Sequence, residues 1–287
     1  MYPEDGAGAG PIGADPVGGF NPIKRFNLEG LVPLILLIIV GIVSLNYFGV
    51  INVPFLPGSS EKVNVLFLGI PSLQEANSLD SMKQFLNYQI RDPQSFSDYA
   101  SEELIQYNVI ILDQSNTTDR SLTLAMSDAL QKFVQKGGKL VVVLNSGVYR
   151  NVQFNNAIAS DALGWEVNLG EYSPADCVPN AVGLNACKPG AEISVIGRIK
   201  KNDFKNEIMK PFDISPPIGS SPLQLRTLAI QPTSGSTQIA YIDVENSPKT
   251  YPAIIVKDNF LGGTVVYFNY DPGATPTIFS RTMQLLK

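Results

Sequence analysis

Asp113, Ser146 and Asp271 hold most of the chemistry this sequence offers. Each closes an apolar run that reads as a β-strand, VIILD, LVVVLNS and TVVYFNYD. In open α/β sheets ligands bind in the crevice outside the carboxyl ends of the strands. With Asn145 beside Ser146, these are the candidate crevice residues. The same residue types also cap helices and form Asx turns, which is their plain structural use. A serine nucleophile needs a base, yet the chain contains no histidine, and the context LNSGV lacks the Gly-x-Ser-x-Gly elbow. Without imidazole, Ser-His-Asp and Cys-His activation, histidine general bases and His-ligated zinc all fall away. Asp113 and Asp271 alone are too few for Ca²⁺, which takes six or more oxygens. After the first strand Gly69-Ile70-Pro71 is a plain turn, not a phosphate-cradling glycine loop. No metal site and no cofactor is expected.

Cys177 and Cys187 are the only cysteines, set in the Pro/Asn/Gly-rich loop CVPNAVGLNAC. This is the pattern of a local disulfide staple, which implies an oxidising compartment. The competing reading is two unrelated buried thiols in a reducing cytosol, and zinc lacks further ligands. The triplet Asn116-Thr117-Thr118 is a glycosylation sequon in a polar loop and points the same way, although such triplets also arise by chance.

These residues must be positioned by a chain of 287 residues with a net charge of −5, of which 44% are hydrophobic. No run of Lys or Arg exceeds two residues, so no basic stripe exists to neutralise phosphates, and nucleic acid is not an expected partner. Between Glu29 and Glu61 there is no charge, and LVPLILLIIVGIVSLNYFGV over Leu31 to Val50 matches the ~20 apolar residues needed to cross a bilayer. Residues 31–53 therefore read as a transmembrane helix, with a buried core helix as the alternative. Residues 1–30 read as a flexible Gly/Pro-rich tail and 54–61 as a Pro/Gly/Ser linker. Lys24 and Arg25 face Lys62 across the span, a small positive-inside bias. Together with the cysteine pair and the sequon, it puts the N-terminus in the cytoplasm and the large domain outside, in a single-pass membrane protein.

From residue 62 strands and helices alternate. Val63–Leu68 reads as a strand, Leu79–Ile90 as a helix (apolar at Leu79, Met82, Leu86 and Ile90), and Val109–Leu112 as a strand. Leu122–Lys136 follows as a helix stopped at Gly137-Gly138, then Leu140–Leu144 as a strand. Ala157–Leu163 reads as a helix, and Trp165 as a core plug or, less simply, a ligand platform. Residues 165–240 look like a strand-and-loop insertion, with one short helix near Asp203–Met209. Strands at Ile239–Val244, Ala253–Val256 and Thr264–Asn269, a turn at Asn259–Gly263, and a helix at Thr277–Leu286 complete the chain. Strands apolar on both faces belong to a covered parallel sheet. The expected fold is α/β, a doubly wound, mostly parallel, flavodoxin-like sheet spanning 62–287.

The order of these elements, with VIILD, KGGKLVVVLNSG and the late YPAIIVKDNFLGGTVVYFNYDPG, resembles the class I glutamine amidotransferase-like superfamily. The likeness is to its non-catalytic and trehalose-utilisation-type branches, over about residues 62–164 and 250–287. In catalytic members a nucleophilic Cys sits on the sharp turn after the strand matched here by Leu140–Leu144, and a His-Pro-Glu triplet follows the last strand. This chain has Asn145-Ser146-Gly147 at the first position and Asp271-Pro272-Gly273 at the second. The resemblance thus implies the fold without glutaminase activity, a pseudoenzyme.

The expected function is that of a non-catalytic, membrane-anchored protein whose external domain binds other membrane or envelope proteins. Two other classes stay open: a small-ligand or glycan-binding module at the strand-end crevice, and a His-free hydrolase working through carboxylates.

Overall fold

Apolar runs such as VIIL and LVVV cannot be left against water, and the fold sandwiches them between helices. The computed structural model describes residues 28–47, 62–96, 99–154, 157–159, 164–178, 187–260 and 262–287, and the chain divides into two units, 1–61 and 62–287. The first contributes one described helix, α1 (Leu28–Tyr47), with Pro33 inside it. Residues 28–30 are therefore helical rather than part of a tail. The rest of that tail and the linker at 54–61 lie outside the described residues. Leu34 to Val40 and their apolar neighbours on α1 are exposed. Among the described residues no helix is long and apolar enough to cross a membrane.

The second unit starts with β1 (Val63–Gly69), α2 (Leu73–Ser81), β2 (Leu86–Arg91), α3 (Ala100–Leu104) and β3 (Val109–Asp113). Next come β4 (Ser121–Thr123), α4 (Leu124–Gln135), β5 (Lys139–Val143), β6 (Tyr149–Phe154), β7 (Ala157–Ala159), α5 (Trp165–Leu169) and β8 (Ala175–Cys177). Then follow β9 (Ile193–Lys201), β10 (Ile214–Ser215), β11 (Leu223–Thr227), β12 (Ile230–Pro232), β13 (Thr237–Val244), β14 (Thr250–Asp258), β15 (Thr264–Phe268) and α6 (Pro276–Leu285). The core of the main sheet is β2-β1-β3-β5-β15, all parallel. In chain order this is 2-1-3-4-5, the flavodoxin-like order, whose switch point lies between β1 and β3. Right-handed crossovers running in opposite directions across the sheet put α2 and α3 on opposite faces. In keeping with this, α2 packs against α6 and α3 against α4. Every residue of β3 is buried.

Three further expectations are corrected. The run 79–90 is not one helix: a capping box at Ser72 and Glu75 starts α2 earlier, and Leu86–Arg91 pairs in parallel with β1. Leu79, Met82 and Leu86 are buried under either assignment, so their spacing did not distinguish the two, and sheet pairing decided. Ala157–Ala159 forms a short strand paired with β6, and 160–163 lie outside the described residues. Residues 203–209 make turns, because Asp203 and Asn206 accept from the amides of Lys205 and Ile208 at 2.9 Å each, competing with helix. Within 165–240, the region read as a strand-and-loop insertion, β9 pairs with β13 in register Ile199↔Ile242 and carries β10 and β11. These strands extend the parallel core with an antiparallel wing. Cys177 and Cys187 are bonded, with Cα atoms 5.8 Å apart.

Candidate functional site

The carboxyl ends of β1 and β3 meet at Gly69 and Asp113, which pair in register. Gly69 has φ +124°, and a Cβ there would lie 1.8 Å from the Asp113 carbonyl oxygen, so only glycine fits. Asp113 is wholly buried. Its Oδ1 accepts from the Ser115 amide at 2.7 Å and, at 3.5 Å, from Ser146 Oγ. Glu75, also wholly buried, comes from the first turn of α2, where its Oε2 accepts from the Ser72 amide at 2.9 Å. Asp271 follows β15 and accepts from the Gly273 amide at 2.8 Å, starting a 3-10 turn laid on α2. A Cβ on Gly273 would come within 2.5 Å of the Glu75 nitrogen.

Burial, then the charge of Asp113 and its hydrogen bond, then Asp271, push Glu75 up to about 11. Burial also raises Asp113, outweighing the hydrogen bonds it receives from Glu75 and Ser115. Glu75 Oε1 and Asp113 Oδ2 are buried and meet no N–H or hydroxyl donor. A proton on Glu75, donated to Asp113, satisfies both. Glu75 was absent from the candidate crevice residues. The signal that marks it is Ser72-x-x-Glu75, a capping-box pattern.

The sharp turn after β5 is made by Leu144, a non-glycine residue at φ +48°, a conformation that costs about 1–2 kcal/mol. Its amide donates to Phe268 O at 2.8 Å, and its side chain is buried. The elbow residue is thus an alkyl group, one position before the Asn145-Ser146-Gly147 triplet. Ser146 Oγ accepts from the Gln114 amide at 2.7 Å, and Gln114 Oε1 accepts from the Gly147 amide at 2.8 Å. Trp165 Nε1 donates to Ser146 O at 2.9 Å while its ring meets Tyr267 edge-on, centroids 5.0 Å apart. Asn168 Nδ2 donates to the carbonyls of Gly147 and Tyr149 at 2.7 and 2.6 Å. Asp113, Asn145 and Ser146 are consequently sealed inside and do not line an open crevice. Asp271 is half-buried.

Asn145 faces away from Ser146, toward Arg120 and Glu192. Arg120 Nη1 donates to Asn145 Oδ1 and to Glu192 Oε1, and Asn145 Nδ2 donates to the same Glu192 oxygen at 2.9 Å. Burial pushes Glu192 up, but the hydrogen bonds from Arg120 and Asn145 and the guanidinium charge outweigh it and hold the carboxyl below its usual range. No sequence pattern marked Arg120 or Glu192. Asn116 is exposed, and its amide donates to Ile70 O at 3.1 Å. Among the described residues no group of three or more Cys, Asp or Glu is arranged to hold a metal ion. An open cavity of about 290 Å³ lies at the other end of the strands, lined by Asn108, Lys132, Lys136 and Lys139 among others.

By sequence, no known protein family and no curated protein matches this chain. By structure it is similar to the cold-adapted β-galactosidase of Rahnella sp. R3, at 12% identity and TM-score 0.49, covering 78% of this chain and 31% of that one. It is also similar to a ThuA-like protein from Bacteroides uniformis, at 13% identity and TM-score 0.47, covering 82% and 94%. A third structure, a GMP synthase subunit from Thermoplasma acidophilum, superposes at 7% identity and TM-score 0.39 over 78% and 96%. The chain thus spans about a third of the β-galactosidase and nearly all of the other two.

Proposed function

We propose that this protein is a non-catalytic α/β domain, tethered to a membrane by the apolar segment over residues 31–53, which works by binding protein partners in a membrane or envelope complex. The observation that supports this most is the closed strand end. A leucine occupies the elbow, Ser146 Oγ is committed to the Gln114 amide, and Trp165 and Asn168 pack over the loop. Enzymes and small-ligand modules of this fold keep that crevice open.

The tether rests on the uncharged run Leu31–Val50 and on the outward-facing apolar side chains of α1, an arrangement water does not favour. The external placement of the domain rests on the disulfide, since such bonds persist in oxidising compartments. The test is purification of the full-length protein from mild detergent with chemical cross-linking. A stoichiometric membrane partner is expected, retained by Ser146→Ala and Asp271→Asn. Turnover of any substrate that either substitution abolishes while the fold survives would overturn the non-catalytic reading.

A further inference from the structure

Arg120 is a buried guanidinium gripped from two strand ends. Nη2 donates to the Ser115 carbonyl at 2.9 Å, just beyond β3, and Nη1 donates to Asn145 Oδ1, just beyond β5. The space in front of Nη1 is filled by Glu192, whose Oε1 also accepts from Asn145 Nδ2 at 2.9 Å. An amide and a guanidinium thus converge on one carboxylate oxygen by charge-assisted hydrogen bonding, at the carboxyl ends of parallel strands where α/β sheets bind ligands.

Glu192 engages the guanidinium through one oxygen only. Its second oxygen turns back to the Gly190 amide at 2.7 Å, so the pair is single-toothed where an arginine fork can give two parallel bonds. Arg120 Nε is buried with no hydrogen-bond partner. Glu192 also belongs to no strand or helix. It sits in the short turn from Cys187 to Ile193, closed by the Ala191 amide on Lys188 O at 2.9 Å, and the turn is anchored through the disulfide to Cys177. A buried ion pair of this kind adds little stability over an apolar pair.

We infer that Arg120 and Asn145 form a binding site for a small organic carboxylate, which Glu192 occupies from within the chain. Movement of the 187–192 turn frees the seat, and an exogenous carboxylate takes the place of the Glu192 side chain. The site is separate from the Glu75–Asp113 pair and does not depend on the membrane or partner-binding reading.

The experiment uses the full-length protein with Glu192→Ala and acetate as the probe. Thermal midpoints are compared in sodium acetate and in sodium chloride at equal ionic strength. The variant is expected to melt lower than the parent in chloride and to recover about half or more of the loss with saturable dependence on acetate. The double variant Arg120→Met/Glu192→Ala is expected to show no acetate response. Equal effects of acetate and chloride, or an equal response in the double variant, overturn the site. If Glu192→Ala yields no cooperative transition, Glu192→Gln keeps the side-chain volume, and phenylglyoxal labelling of Arg120 is followed by peptide mass. Labelling about tenfold faster than in the parent, and slowed by saturating acetate, supports the site; labelling that acetate does not slow overturns it.

Discussion

Glu75, on the first turn of α2, and Asp113, at the end of β3, are two wholly buried acids that each leave one carboxyl oxygen without a hydrogen-bond donor, and burial raises both. One proton held between them would satisfy both oxygens.

That proton makes stability depend on pH. The folded chain holds it up to about 11, whereas a free Glu releases it near 4.5. The contribution is therefore fully present below about 4.5 and declines as pH rises toward 11, by up to about 1.4 kcal/mol per pH unit. Glu75→Gln mimics the protonated acid and keeps an acceptor for the Ser72 amide. Denaturant titrations at pH 5 and 8 are expected to show a flatter pH dependence in the variant, with stability at pH 8 equal to or above the parent. A steeper dependence would contradict the shared proton.

Ser146→Ala leaves the buried Gln114 amide without its acceptor, and a loss of about 1–3 kcal/mol is expected from denaturant unfolding. Asp271→Asn keeps the side-chain oxygen that caps the 3-10 turn and removes a charge facing Glu75. Its effect is expected to stay within about 1 kcal/mol.

Gly69→Ala places a methyl group into the Asp113 carbonyl at a positive φ. A loss of more than about 3 kcal/mol is expected, visible as a collapsed thermal midpoint or as insoluble expression. An alanine variant of near-parental stability would mean the β1–β3 contact is looser than described.

Replacing Cys177 and Cys187 together by Ser opens a short loop, and a loss of about 2–3 kcal/mol follows from chain entropy. Non-reducing mass analysis of the parent is expected to show no free thiol. If the pair of serines costs nothing, the bond does not constrain the turn that presents Glu192.

The parallel core was legible because VIIL and LVVV are apolar on both faces and leave one placement. Leu79–Ile90 was misread because one spacing of buried residues serves both a helix and the helix-turn-strand that forms, and only pairing with β1 decides. The strand-end residues Asp113, Ser146 and Asp271 could be placed from sequence, but their burial could not. Closure depends on Trp165 and Asn168, which arrive from a segment whose pattern shows no link to the elbow. Glu192 lies 72 residues from Arg120, and no local rule joins a loop acid to a distant arginine. Glu75 carried a readable capping signal, but a cap predicts a helix start, not a shared proton.

Trp165 is the only tryptophan in the chain, and it is buried with its indole nitrogen on the Ser146 carbonyl and its ring against Tyr267. The protein therefore contains its own optical probe at the strand end. Its ultraviolet emission belongs to one indole in one dry environment, and a collisional quencher has no path to it while the loops stay closed. Any ligand, partner or reductant that loosens the elbow would shift that emission to longer wavelength and open it to quenching, without a label attached.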